Sequence, residues 1–78
     1  MVLEVRLFAT LRRYAPTSLN GVMTLDVPEC ITVLDLVKQL KIDPKEIHLI
    51  MINGLGREFE EILTDGDRVG LFPPIGGG

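Results

Sequence analysis

The chain has 78 residues, of which 46% are hydrophobic and 24% charged, and its net charge is −3. This length holds one domain, and the single cysteine, Cys30, excludes an internal disulfide; with one histidine, it also leaves too few ligands for a structural zinc site. The acidic balance disfavours a nucleic-acid partner, and no apolar run approaches the roughly 20 residues that cross a bilayer. We expect a cytoplasmic protein without a membrane partner, whose acidic surface favours a basic docking site.

The N-terminal part of the chain predicts a β-hairpin. Polarity alternates over Val2 to Phe8 and again over the segment VMTLDVP, a period of two that is typical of half-buried strands. Asn20-Gly21 lies between the two segments and is a strong turn signal. The intervening segment ATLRRYAP predicts a turn of helix or a loop. The two strands are therefore expected to pair antiparallel.

The middle of the chain predicts the main helix, from Val33 to Leu40. Thr32 stands at the N-cap position and Asp35 follows three residues later, which is a variant of the capping box. Apolar residues then recur at the spacing of one helix face. We expect Leu36 and Val37 to be core residues, on an apolar stripe that covers the hairpin.

The C-terminal half predicts three further strands. Asp43 and Pro44 are expected to cap and begin a short helical turn. The segment HLIMING predicts a strand that ends in an Asn53-Gly54 turn, and REFEEIL predicts a weaker strand or a loop at a sheet edge. RVGLF predicts the last strand, which Pro73-Pro74 ends. The element order is therefore strand, strand, helix, strand, strand, strand.

The polar residues predict no internal active site. His48 stands alone at the start of a strand and is expected at the surface. Cys30 has no nearby base and is expected to be a small buried or half-buried side chain. The segment Asp65-Gly66-Asp67 is typical of a β-turn rather than of a metal site, and the glutamates of REFEE fit a solvated face.

The end of the chain is suited to act as a substrate. Pro73 and Pro74 stiffen the backbone after the last strand and project the residues that follow. Glycines have no Cβ and pass through a narrow cleft in another protein. The terminal Gly78 carries an unhindered carboxylate, which adenylation converts into a mixed anhydride that sulfur or nitrogen nucleophiles attack. A flexible, idle end is the simpler alternative.

The sequence resembles the MoaD/ThiS family of ubiquitin-like sulfur carriers along its whole length. The segments that carry the resemblance are LFATLRRYA, TVLDLVKQL, MING and, as the most specific, LTDGDRVGLFPPIGGG. The Phe-Pro-Pro sequence and the pattern of Phe8, Ala9, Leu11 and Arg12 are most similar to the MoaD branch, the small subunits of molybdopterin synthase. The resemblance implies an α+β fold, the ubiquitin-like β-grasp, with a mixed sheet packed on one main helix. It implies a single domain over residues 1–78, with a flexible Gly-rich tail over residues 75–78.

The resemblance further implies a non-catalytic protein that carries sulfur. An E1-like adenylating enzyme of the MoeB/ThiF type uses ATP to adenylate the C-terminal glycine, and a sulfur donor then converts it to a thiocarboxylate. The thiocarboxylate then donates its sulfur on the large subunit of molybdopterin synthase, which is of the MoaE type. The sulfur becomes part of the pterin dithiolene that binds molybdenum or tungsten. The carrier itself is expected to bind no cofactor and no metal.

By the same resemblance, Gly78 is the reactive residue and its neighbours contact the partners. Gly76 and Gly77 thread the cleft, Phe72 and Phe8 contribute to an apolar docking face, and Arg12 is a polar contact. The implied partner-binding residues are Gly76, Gly77, Phe72, Pro73, Pro74, Ile75, Phe8 and Arg12.

The chain departs from the family in ending on three glycines instead of two. Counted from Pro74, Gly76 is the variable residue and Gly77-Gly78 the functional pair, while removal of Gly78 stays open. The pathway also stays open. The alternatives are a ThiS-like sulfur carrier for thiamine biosynthesis, a ubiquitin-like modifier conjugated through its C-terminal glycine, and a plain interaction module.

Overall fold

The computed structural model of the chain describes residues 1–15 and 20–74. Within them it contains five strands, one α-helix and two short 3₁₀ helices. The strands are β1 (Val2–Leu7), β2 (Val22–Asp26), β3 (Leu49–Ile52), β4 (Leu55–Arg57) and β5 (Arg68–Phe72), the α-helix is α1 (Val33–Gln39), and the 3₁₀ helices span Ala9–Tyr14 and Pro44–Glu46. None of the helices in the described ranges is long and apolar enough to span a membrane.

The strands form one mixed sheet with the order β2-β1-β5-β3-β4. The predicted hairpin is confirmed, since β1 and β2 pair antiparallel. β1 and β5 pair parallel at the centre of the sheet, although they are the first and last strands in the sequence. β3 pairs antiparallel with both β5 and β4. The arrangement confirms the expected α+β fold with a mixed sheet and one main helix.

The predicted capping box starts α1. The Thr32 hydroxyl accepts a hydrogen bond from the Asp35 N–H at 3.2 Å, and the Asp35 carboxylate accepts one from the Thr32 N–H at 3.1 Å. The pKa of the Asp35 carboxyl is lowered, chiefly by the hydrogen bond that the Thr32 backbone N–H donates to it. The helix ends at Gln39, one residue before the predicted end, because Leu40 is the C-cap and Lys41 turns the chain with a φ of +60°.

The core lies between α1 and one face of the sheet. Leu36 and Val37 are fully buried, which confirms them as core residues. They share one apolar cluster with the inward-pointing residues of the strands, namely Leu3, Val5, Leu7, Ile50, Ile52, Val69 and Leu71. The opposite face of the sheet, called the outer face below, carries the side chains that alternate with these.

The segment REFEEIL follows the loop alternative of its prediction, and only Arg57 belongs to the edge strand β4. Pairing starts earlier, with Leu55 opposite Ile52, because the tight Asn53-Gly54 turn lets it resume at once. One local prediction was wrong. Cys30 is exposed and has a φ of +63°, since it lies in the turn that precedes the helix. The short helical turn after Asp43 is confirmed, with the Asp43 carboxylate accepting a hydrogen bond from the Lys45 N–H at 2.9 Å.

Candidate functional site

The root of the C-terminal tail, Phe72 to Pro74, is held from both sides. On the β1 side, the Phe8 N–H donates a hydrogen bond to the Leu71 carbonyl at 3.2 Å. On the β3 side, the His48 N–H donates one to the Phe72 carbonyl at 2.7 Å. Pro73 follows directly and has no N–H to extend the ladder. The chain therefore leaves the sheet at a defined point, directly after Phe72.

Two aromatic rings cover this exit point. The rings of Phe8 and Phe72 stack with centroids 4.1 Å apart and an angle of 6° between their planes. Both side chains are half-buried, so their free faces remain available for contact. Together with the two prolines they form one side of an apolar groove of about 390 Å³, whose lining residues are Phe8, Ala9, Thr10, His48, Leu49, Phe72, Pro73 and Pro74.

A second depression lies next to this groove on the outer face. Its floor is Gly70 on β5, which pairs with Arg6 of β1 on one side and Met51 of β3 on the other. The depression has a volume of about 370 Å³ and is also bounded by Phe8, Asn53, Gly54, Arg68, Val69 and Phe72. Phe8 and Phe72 line both concavities, so the groove and the depression form one continuous surface around the root of the tail.

The structure places the predicted partner-binding residues in two separate regions. Phe8, Phe72, Pro73 and Pro74 come together in the groove. Arg12 lies apart from them, exposed on the first 3₁₀ helix, with its aliphatic stem close to Gly21. The remaining predicted residues, Ile75, Gly76, Gly77 and Gly78, lie outside the described residues.

Sequence reasoning missed half of the groove. Ala9, Thr10, His48 and Leu49 line it because β5 lies between the end of β1 and the start of β3. That neighbourhood depends on the parallel pairing of the first and last strands, for which no local sequence signal exists. The position of Phe8 on the outer face, by contrast, was predictable, because polarity alternates along β1 and places Arg6 and Phe8 on the same face.

The chemistry of the groove is that of contact rather than of catalysis. Its side chains are apolar apart from Thr10 and the exposed His48. In the described part of the chain, no group of three or more His, Cys, Asp or Glu side chains is placed to hold a metal ion. The arrangement places the root of the tail, Phe72 to Pro74, beside an apolar surface.

Comparison with known proteins identifies the family. A family model described as the ThiS family matches residues 5–78. The chain belongs to the ThiS family. A search of curated protein sequences found no match.

Two solved structures similar to this ThiS-family chain carry different descriptions. Small archaeal modifier protein 1 from Haloferax volcanii is 26% identical, with a TM-score of 0.74 and full coverage of both chains. A protein from Pyrococcus furiosus described as molybdopterin converting factor subunit 1 is 29% identical, with a TM-score of 0.73, and the match covers 96% of this chain and 99% of the other.

A third similar structure supports the fold alone. It is a complex of subunits 1 and 2 of molybdopterin-converting factor from Helicobacter pylori, and the matching chain is 24% identical, with a TM-score of 0.63 and full coverage of both chains. The resemblance and the β-grasp fold are thus confirmed. The protein has the ThiS/MoaD-like fold of ubiquitin-like sulfur carriers, a family of small non-catalytic proteins.

Proposed function

We propose that this protein carries sulfur on its C-terminal glycine, Gly78, and donates it to the dithiolene of molybdopterin. The main observation in support is the rigid root of the tail, where the Phe72 carbonyl is held by the His48 N–H at 2.7 Å and the Phe8–Phe72 stack lies beside the exit point. A rigid exit next to an apolar contact surface lets a partner hold the body of the carrier while the last residues enter its active site.

The proposed reaction has two steps. The Gly78 carboxylate attacks the α-phosphate of ATP on an E1-like adenylating enzyme, which forms an acyl adenylate and releases pyrophosphate. A persulfide on a sulfur donor then attacks the acyl carbon and AMP leaves, which forms an acyl disulfide. A thiol next attacks the donor's sulfur and is oxidised to a disulfide with it, and the thiocarboxylate is released on the carrier. The carrier supplies no catalytic group in either step, in keeping with its family. ATP is used by the enzyme and does not reside on this chain.

Assignment to the molybdopterin pathway rests on sequence and on one neighbour. The Phe72-Pro73-Pro74 sequence is typical of the MoaD branch, and the Pyrococcus furiosus protein, described as a subunit 1, matches nearly the whole chain at 29% identity. We therefore propose a large subunit of the MoaE type as the second partner. In this role the groove of Phe8 and Phe72 is the docking face.

A second candidate function is protein modification. The neighbour from Haloferax volcanii is described as a small archaeal modifier protein, and the same tail could be joined to a lysine amine after adenylation. Thiamine biosynthesis is the remaining sulfur-carrier alternative. Covalent adducts of this chain that survive boiling in detergent and reducing agent in native cell extracts would favour the modifier, whereas loss of molybdenum or tungsten enzyme activity on gene deletion would favour the molybdopterin pathway.

The adenylation step is tested by pyrophosphate exchange with the cognate adenylating enzyme. Deletion of Gly77 and Gly78 should abolish exchange, and Gly77→Val should nearly do so because a β-branched side chain stiffens the tail and collides with a channel shaped for bare backbone. Gly56→Val is the matched control, since nothing lies within 4 Å of a Cβ at Gly56. Exchange by the truncated chain at the wild-type rate would refute the proposal.

A further inference from the structure

The turn between β3 and β4 contains Asn53-Gly54, a pair of residues that is prone to spontaneous deamidation. In such a pair the backbone nitrogen of the glycine attacks the side-chain carbonyl carbon of the asparagine, because glycine has no Cβ to obstruct the approach. Both residues have positive φ, +52° and +82°, as the two central residues of a type I′ turn do. Nothing lies within 4 Å of a Cβ at Gly54, so neighbouring groups do not cover the turn.

In the folded chain, hydrogen bonds tie Asn53 to the start of β5. Its side-chain nitrogen donates to the Asp67 carboxylate at 2.9 Å, and its side-chain oxygen accepts from the Arg68 N–H at 3.0 Å. Its backbone N–H donates to the Arg68 carbonyl at 2.9 Å. Both polar atoms of the side-chain amide are therefore held by residues of the neighbouring strand.

These hydrogen bonds, rather than burial, control access to the amide of Asn53. Asn53 and Gly54 are exposed, so water reaches both of them. For a succinimide ring to close, the side chain has to turn toward the Gly54 nitrogen, whereas its bonds to Asp67 and Arg68 direct it toward β5. The reaction therefore requires that this end of the sheet opens first.

We propose that Asn53 is a site of spontaneous deamidation that is closed in the folded chain and exposed by local opening of the turn from β5. The Gly54 nitrogen then attacks the Asn53 Cγ, the bond from Cγ to Nδ2 breaks, and ammonia leaves with the proton of the Gly54 N–H. Water opens the succinimide at either of its carbonyls, which leaves aspartate or isoaspartate at position 53. The reaction needs no oxidant, reductant or enzyme.

Neither product fits the place that Asn53 occupies. Aspartate puts a carboxylate oxygen where the amide nitrogen donated to Asp67, so two like charges meet beside a nearly buried carboxylate. Isoaspartate adds a methylene group to the backbone of a turn whose register is set by Ile52 opposite Leu55. Deamidation therefore turns a transient opening of the turn into a permanent one.

The test is peptide mapping of the whole chain after incubation at mildly alkaline pH, either folded or unfolded in urea. Mass spectrometry detects the exchange of the side-chain amino group for a hydroxyl, and an isoaspartyl methyltransferase with labelled S-adenosylmethionine detects isoaspartate. Asn53 should react about tenfold or more slowly in the folded chain than in urea. Equal rates in the two states would overturn the inference.

Two comparisons in urea check the chemistry of this reaction. Asn20-Gly21 is the second Asn-Gly pair of the chain and serves as the internal reference, because it should react within about threefold of Asn53 once the chain is unfolded. Gly54→Ala should slow the reaction at Asn53 alone, since the added Cβ obstructs the attacking nitrogen. An unchanged rate at Asn53 would exclude attack by that nitrogen and refute the proposed reaction.

A pair of variants separates the hydrogen bonds of Asn53 from overall stability. Asp67→Ala removes the acceptor of the Asn53 amide, whereas Leu36→Ala destabilises the core at a fully buried position of α1. Compared at equal free energy of unfolding, Asp67→Ala should deamidate at Asn53 about fivefold faster or more. Equal rates would mean that only global unfolding exposes Asn53, and the inference would fail.

Wild type provides the same distinction without a variant. Local opening exposes little surface, so the rate at Asn53 should be nearly independent of urea at concentrations well below the unfolding midpoint. A rate that rises with urea as steeply as the unfolding equilibrium constant would contradict local opening.

Asn53→Asp reproduces one product and tests its consequence. It should unfold at a lower urea concentration than wild type, because the new carboxylate faces Asp67. Asn20→Asp is the matched control, and it should lower the midpoint less because an aspartate there can still accept the Val22 N–H, which lies 3.4 Å from the Asn20 side-chain oxygen. A wild-type midpoint for Asn53→Asp would show that the product fits the closed turn, and the inference would be wrong.

Discussion

The carboxylate of Asp67 offers a sharp test of how the sheet is held together at the end opposite the tail root. Asp67 is nearly buried at the start of β5. It accepts hydrogen bonds from the Thr64 N–H at 2.8 Å, the Asn53 side-chain amide at 2.9 Å and the Thr64 hydroxyl at 3.0 Å. Burial alone raises the pKa of this carboxyl, but the hydrogen bonds from Thr64 and Asn53 outweigh it and the net shift is downward.

Asp67→Asn keeps the size of the side chain and removes one acceptor oxygen and the charge. The amide nitrogen of the new side chain then faces a donor, either the Thr64 N–H or the Asn53 side-chain amide, where the carboxylate offered an acceptor oxygen. A hydrogen bond to a charged group contributes about 1.5–3 kcal/mol, and the remaining bonds weaken when the charge is lost. We expect the free energy of unfolding to fall by about 2–4 kcal/mol, out of about 4–12 kcal/mol for a chain of this length.

The loss should depend on pH. The pKa of Asp67 is lower in the folded than in the unfolded chain. The charged carboxylate therefore contributes its full stabilisation above the unfolded pKa of about 3.9, and this stabilisation is lost as the pH falls from that value to the lower folded pKa. Urea unfolding at pH 7 and pH 3 measures both free energies. The gap between wild type and Asp67→Asn should be narrower at pH 3. A gap of equal size at both pH values would refute the role of the charge.

Asp65→Asn is the control for this experiment. Asp65 lies two residues away, is exposed, and accepts one hydrogen bond from the Val2 N–H at 2.7 Å. Its substitution should cost about 1 kcal/mol or less. If both variants lose the same stability, the network around Asp67 has no special importance.

Three further predictions test the fold, and one of them compares two substitutions. Leu36→Ala removes a fully buried side chain and should lower the free energy of unfolding by about 2–5 kcal/mol; an unchanged urea midpoint would show that α1 presents another face to the core. Gly21→Ala should lower the melting temperature far more than Gly66→Ala, because both have positive φ but only at Gly21 would the Cβ lie 2.4 Å from the Leu7 carbonyl oxygen. Thr32→Ala should cost about 0.5–2 kcal/mol in urea unfolding through loss of the capping box, and no loss would show that the cap is dispensable.

Local signals explain the elements that were predicted correctly. The β1–β2 hairpin, α1 and the turn after Asp43 each rest on periodicity or caps within a short stretch of sequence. The bounds of β4 were missed because the two-residue turn, not the composition of REFEEIL, determines where pairing resumes. Cys30 was expected to be buried or half-buried because of its residue type, whereas it lies in a turn that exposes it.

The candidate site was only partly predictable for a physical reason. Phe8 and Phe72 are distant in the sequence, and their stacking depends on the parallel pairing of β1 with β5. Sequence patterns do not encode such long-range pairing, so here it was the resemblance to a family that brought the two residues together. The depression over Gly70 requires the register of three strands and was not foreseen.

The intact mass of the protein from its native cells tests the central claim most directly. If the chain is a sulfur carrier, a fraction of the molecules isolated under mild conditions is heavier by the difference between one sulfur and one oxygen atom. Fragmentation should place this difference on the peptide that ends at Gly78, and hydrolysis should remove it. An unmodified Gly78 carboxylate on every molecule would contradict the account, provided that the protein is taken from cells that are actively making the cofactor.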